Sequence, residues 1–216
     1  MYLLDLKRMY RLFSRIPSSL TILKDEMRSF VRESGEKIVS DEENKKVHYL
    51  LFSTNLFKNP NKFVQEVLDM RLKYFKIVSE SFGDDRRFSR TLKESFEHFI
   101  NLDARAAQYL SLFIDEMIKN SSKDLSEDIA DQKLDQVITI FRYLSDKDVF
   151  EDFYKQHLAS RLLMGKTSDD LEKSMIAKLK AECGHQFTSK MEGMFKNIDL
   201  SKEINEEFSK YLSVLP

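Results

Sequence analysis

KDVFEDFYKQHLASRLLMGKTSDDLEKS, residues 147–174, is the stretch whose reading decides the fold. Val149, Phe150, Phe153, Tyr154, Leu158, Leu162 and Leu163 form one apolar stripe at helical steps, wide enough to be buried, and Asp148 is placed to cap its start. Met164 and Gly165 release the chain, and Asp169 followed three residues later by Glu172 reads as a capping box that opens a second helix. Nothing in the stretch is catalytic.

The same pattern repeats outward. Towards the N-terminus, Leu3, Leu6, Met9, Tyr10 and Phe13 keep helical spacing until Ile16-Pro17, where proline disfavours a helical residue before it. Ser18 or Ser19 is placed to cap a long helix carrying Leu20, Leu23, Met27, Phe30, Val31 and Ile38. The charged segment from Ser40 to Lys46 reads as a loop, and Val47 to Phe57 as a helix, because no strand elsewhere offers it a pairing partner. Pro60 suits a first helical turn, Gly83 a stop, and Asp84 or Asp85 the start of a helix with Phe88, Leu92, Phe96 and Phe99 as its seam. Another helix follows Asp103, and the polar run from Asn120 to Asp128 reads as a break before Leu134, Val137, Ile138, Phe141 and Leu144. Beyond Cys183-Gly184 the pattern predicts a short helix over Phe187 to Ile198 and a separate last one capped by Ser201. That makes about ten amphipathic helices, none stable alone, which must bury their stripes against one another.

Composition agrees with an all-α protein: 42% hydrophobic and 33% charged residues with only 5 Gly and 3 Pro, poor in the punctuation that sheets and tight turns need. A formal net charge of −1 supplies no overall basic field, so neither nucleic acid nor a membrane is expected as partner. No run reaches the length of a membrane span. Cys183 is the only cysteine and cannot form an internal disulfide, which points to a reducing compartment, cytoplasm or nucleus. There is no fixed-period repeat of the ankyrin or tetratricopeptide kind.

Chemistry is hard to find. The chain has no glycine-rich phosphate loop and no G-x-S-x-G, and no catalytic, cofactor-binding or metal residue is assigned. Cys183 and His185 are the one Cys/His pair close in sequence, while His48, His98 and His157 fall on other elements without ligand spacing. His157 sits at the edge of a buried stripe and reads as packed or solvated. Arg86, Arg87 and Arg90 form a basic cluster partly cancelled by Asp84 and Asp85, and read as a solvated helix start. The methionines, such as Met27, Met117, Met175, Met191 and Met194, read as core filling.

Several phrases stand in an order and spacing that resemble the cullins: Phe141 to Leu144, Lys147 to Phe150, Phe153 to Ala159, Arg161 to Leu163, Ser168 to Asp170, Lys178 to Gly184 and Phe187 to Phe195. Met9 to Arg15 and Leu92 to Asn101 also resemble the last cullin repeat, so the resemblance covers essentially the whole chain. Tyr154 to Ala159 and Leu110 to Asp115 are most similar to the class that recruits substrates through BTB adaptors. The resemblance implies two helical bundles in series and an elongated form: residues 1–103 as the third cullin repeat, a five-helix bundle, and 104–216 as the four-helix bundle at the start of the cullin homology domain. It implies a rigid scaffold of a RING-type ubiquitin ligase that is not itself an enzyme. Its implied partners are a BTB-type substrate adaptor, a RING subunit and a ubiquitin-conjugating enzyme, with the family's two main binding ends lying outside this sequence. The sequence departs from the family in a shorter turn at Gly165 to Ser168, and in lacking a proline between Leu102 and Ala107, which leaves the flanking helices free to join. Lys119 and Lys123 fall where cullins carry basic residues, but Glu116, Asp124 and Glu127 dilute them. The competing expectation is an independent helical tether or adaptor, which would betray itself by an exposed apolar groove.

Overall fold

The stretch that opens the sequence reading folds into two helices, Lys147–Met164 and Asp169–Cys183, with Gly165 between them at φ 61. A computed structural model of the chain describes residues 2–40, 60–124, 127–165 and 169–214. Their secondary structure is all helical: α1 (Tyr2–Phe13), α2 (Pro17–Ser40), α3 (Pro60–Phe82), α4 (Arg86–Ile100), α5 (Ala106–Asp124), α6 (Glu127–Phe141), α7 (Lys147–Met164), α8 (Asp169–Cys183) and α9 (His185–Val214). The expected loop over 41–46 and the expected helix over 47–57 lie outside the described residues.

The chain divides into two units, one of residues 1–110 with 143–146 and the other of 111–142 with 147–216. In the first unit α1 packs on α3, and α2 runs along α4. Its core is aromatic. Tyr10, Phe82 and Phe88 form a ring cluster with centroids 4.6–5.9 Å apart, and Phe96 lies 5.0 Å from Phe99 and 5.5 Å from Tyr143. Gly35 is required where α2 meets α4, because a Cβ there would stand 2.2 Å from the Phe99 ring. Residues 143–146 are held by Asn101, whose Nδ2 donates to Tyr143 O at 2.8 Å and whose Oδ1 accepts from Ser145 N at 2.9 Å. In the second unit α8 packs on α6 and α9, and α9 also on α7, around Phe141, Phe150, Leu158, Met175, Leu179 and Met191.

Helix ends follow the sequence signals in some places and not in others. Pro60 and Pro17 both occupy first helical positions, where the missing N–H removes no bond. Ser18 and Ser19 are therefore inside the first turn of α2, and Ile16 O takes the bonds from Ser19 N and Leu20 N. Asp85 caps α4, accepting from Arg87 N at 2.9 Å, after Gly83 and Asp84 turn the chain at φ 58 and 55. Asp148 is not a cap but an acidic residue inside the first turn of α7, where it suits the helix dipole. The polar run after Asn120 is a narrower break than its composition suggests: α5 continues to Asp124 and α6 begins at Glu127. Polar residues without Gly or Pro do not by themselves end a helix. Likewise the two helices expected after Gly184 are one, α9, which runs straight through Ser201. The helices flanking Leu102 do not join despite the missing proline; α4 ends at Ile100, and Asp103 Oδ1 accepts from Arg105 N at 2.9 Å just before α5.

Candidate functional site

The buried face of α7 is Phe150, Tyr154, Leu158 and Arg161, at steps of four, four and three. An arginine thus occupies a core position, 1% exposed, while Leu163, assigned to the stripe from the sequence, is 79% exposed. Arg161 is satisfied by carboxylates from two other helices. Its Nε donates to Glu172 Oε1 at 2.5 Å and its Nη2 to Glu172 Oε2 at 2.9 Å, a two-point fork onto α8. Its Nη1 donates to Asp115 Oδ1 on α5 at 2.6 Å. Both carboxylates are themselves buried.

Further groups complete the cluster. Lys119 Nζ donates to Asp115 Oδ2 at 2.6 Å, one turn along α5. Tyr154 OH donates to Glu172 Oε2 at 3.4 Å, and the Arg161 guanidinium carbon lies 5.5 Å from the centre of the Tyr154 ring. Burial, followed by the nearby Glu172 charge, pushes the Tyr154 hydroxyl far above its ordinary range, so it stays protonated. Burial works against the Arg161 charge, but Glu172 and Asp115 outweigh it and raise its pKa above the ordinary value. His157 Nδ1 stands 3.7 Å from Asp115 Oδ2. Burial lowers its pKa; Asp115 opposes that, and Arg161 and Lys119 reinforce it, so His157 is mainly neutral near pH 7.

Chemically this arrangement is a lock rather than a catalyst. Each carboxylate oxygen already accepts from a cation, and the Tyr154 phenol is held protonated. What it fixes is the mutual register of α5, α7 and α8. Glu172 therefore does not serve the capping box that the spacing from Asp169 suggests; its carboxylate is spent on Arg161. The signal was present in the sequence, since Asp115, Arg161 and Glu172 each fall on the buried face of their helix, but only charge complementarity in space makes those positions tolerable.

The other residues singled out from the sequence are scattered. Cys183 is half-buried at the end of α8 with its thiol pKa raised by burial, and His185, exposed at the start of α9, faces Glu192 at 3.6 Å. His98 faces Glu36 at 3.5 Å, and His48 lies outside the described residues. Among the described residues no three His, Cys, Asp or Glu side chains are placed to hold a metal ion, and no helix is long and apolar enough to cross a membrane. Arg87 is paired with Asp85 at 2.7 Å and Arg90 with Glu94 at 2.8 Å. Lys119 belongs to the buried cluster, and the side chain of Lys123 lies outside what the structure describes. One apolar stripe is left open: Leu200, Ile204, Phe208, Tyr211 and Leu212 on α9 are all at least 50% exposed.

The family model for the cullin alpha solenoid domain matches residues 2–205. Cullin-3A of Arabidopsis thaliana is 47% identical over 205 residues, 94% of this chain. Cullin-3 of Dictyostelium discoideum is 44% identical over 212 residues, 98% of this chain, and cullin-3 of Caenorhabditis elegans 37% identical over 220 residues, also 98%. The matched span is 26–27% of those relatives, so the chain covers about a quarter of their length. Helical in its described residues and matched over residues 2–205 by the model of the cullin alpha solenoid domain, the chain belongs to the cullin family.

Proposed function

We propose that this chain is a structural segment of a cullin-RING ubiquitin ligase scaffold, one that performs no chemistry itself and keeps the substrate-receptor end and the catalytic end of a longer protein at a fixed separation. The observation that carries this reading is the 37–47% identity to cullin-3 proteins across 92–98% of the chain. On this reading residues 1–103 form the last cullin repeat and 104–216 the four-helix bundle that begins the cullin homology domain, arranged in series. The parent protein takes a BTB-type substrate adaptor, a RING subunit and a ubiquitin-conjugating enzyme, and works in the cytoplasm and nucleus. The contribution of such a segment is proximity: packed helices keep the acceptor lysine near the charged thioester, so the reaction loses less entropy. The Arg161 cluster supports that role because a helix register fixed by directional charged hydrogen bonds yields less than one fixed by apolar packing alone.

The test is a chimera. In full-length Dictyostelium cullin-3 the equivalent segment is replaced by this chain, or by a Gly/Ser linker of equal residue number, and adaptor-dependent ubiquitin transfer is measured with purified components. This chain is expected to support transfer, whereas the linker keeps both ends' partners bound but slows transfer by at least about tenfold. Equal rates for the two chimeras would end the scaffold reading.

A second reading, an independent tether, draws on the open stripe from Leu200 to Leu212. It predicts that the linker chimera works and that Phe208→Glu abolishes partner capture by the isolated chain.

A further inference from the structure

Two basic runs that lie far apart in the sequence meet in the first unit. Lys24, Arg28 and Arg32 recur every four residues on α2, and Arg87 and Arg90 occupy the beginning of α4. Contacts between the two helices advance together, from Arg28 with Glu94 at 3.9 Å to Glu36 with His98 at 3.5 Å, so the helices run parallel. At Gly35 α2 lies directly against the Phe99 ring of α4. Towards their N-terminal halves a groove of about 340 Å³ opens, lined by Lys24, Arg28, Arg87, Arg90, Thr91 and Glu94. Four cations and a single carboxylate form its wall.

The carboxylates near the groove are outnumbered. Asp25 is shared between Lys24 at 3.7 Å and Arg28 at 2.9 Å, Glu94 is shared between Arg28 and Arg90, and Asp85 holds Arg87. Arg32 adds its charge to the field on Glu94, and its buried Nε has no hydrogen-bond partner among the described residues. The Arg90 pair is mostly in water, its guanidinium side chain 82% exposed, and a pair of that kind contributes little and exchanges readily. Glu94 meets each arginine at one point only, Arg90 Nε at 2.8 Å and Arg28 Nη2 at 3.9 Å, so an incoming carboxylate can displace it and take up the two-point fork that it does not make.

We propose that this groove docks an acidic peptide segment of a partner protein, its Asp and Glu side chains taken up by Lys24, Arg28, Arg87 and Arg90. Nucleic acid fits less well: no aromatic side chain lines the groove for base stacking, and the chain as a whole carries a net charge of −1. The docking does not depend on the scaffold role.

The experiment uses the whole 216-residue chain and a short fluorescein-labelled peptide of alternating acidic and small residues, followed by anisotropy at low salt. Saturable binding is expected, weakened by about tenfold or more in Arg28→Glu and in Arg90→Glu, tightened about threefold by Glu94→Gln, and lost as salt rises. Arg90→Glu alters an exposed side chain, and an unchanged thermal melt shows that its effect is not unfolding. The proposal is overturned if Arg90→Glu and Lys24→Glu bind the peptide as the parent chain does. It is also overturned if an oligothymidylate of equal charge binds equally tightly, or if millimolar inorganic phosphate displaces the peptide, since either result reduces the groove to a general anion surface.

Discussion

The two units are built from the same kind of amphipathic helix and close their cores by different means. In the first, the buried Thr91 and Ser95 return their hydroxyls to α4 itself, at Arg87 O and Thr91 O, the buried Ser81 crosses only to one backbone carbonyl, Leu3 O on α1, and the space between helices is filled by Phe63, Phe82, Phe88, Phe96, Phe99 and Tyr143. In the second, a full positive charge sits among Phe150, Tyr154 and Leu158 and is neutralised from two other helices. Aromatic packing is adaptable, because rings slide and volume matters more than direction. A buried guanidinium is not, because every partner must be present and in place. The second unit therefore has the more sharply specified register and the greater vulnerability to a single substitution.

The largest effect is expected from Arg161→Ala, which strands Glu172 and Asp115 in the interior and should destabilise the second unit by about 3–5 kcal/mol. Urea denaturation followed by circular dichroism checks it. Replacing the buried ion triad together with the phenol that bonds it, with Arg161→Met, Asp115→Leu, Glu172→Leu and Tyr154→Phe, should recover most of that loss, since an apolar set of similar volume leaves no buried charge or hydroxyl without a partner. A loss below about 1 kcal/mol in Arg161→Ala would erase the contrast between the units. Next comes Gly35→Ala in the first unit: its Cβ would stand 2.2 Å from atoms of the buried Phe99 ring, and the required shift should cost about 1–3 kcal/mol. Hydrogen exchange should place that damage in α2 and α4 and leave α7 and α8 protected.

The smallest effect is a pH dependence in the first unit. The hydrogen bonds from Arg87, assisted by Tyr10, hold the Asp85 carboxyl at about 2, below its ordinary 3.8, against the opposing effect of burial. A folded value below the unfolded one means that its contribution is fully present above the unfolded value and is lost as pH falls from about 4 to about 2. Asp85→Asn should flatten the acid limb of the stability profile over that window. Because Arg87 is mostly exposed, the slope removed should be shallow.

Helix positions were legible wherever the chain carries local stereochemistry. Gly83, Gly165 and Gly184 all take positive φ at the ends where the sequence predicts stops, and Pro60 begins a helix as expected. Errors arose where composition was read as geometry. A polar run after Asn120 does not by its composition end a helix, and Ser201 caps nothing because it lies inside α9. Arg161 and Glu172 do not read as core residues because charge alone argues for the surface, and the basic cluster on α4 reads as a solvated helix start, partly cancelled by Asp84 and Asp85, because its neighbours on α2 lie some sixty residues earlier.

The sequence by itself determined the helical class, most helix boundaries and the family, all of which rest on periodicity, dihedral preference and residue order along the chain. Only the tertiary structure decided which charges are interior and which basic runs share a groove. Asp115, Arg161 and Glu172 lie on three helices, with Asp115 46 residues from Arg161 and Arg161 only 11 from Glu172, and a charge is tolerated in a core only when packing delivers its partner to within hydrogen-bond distance.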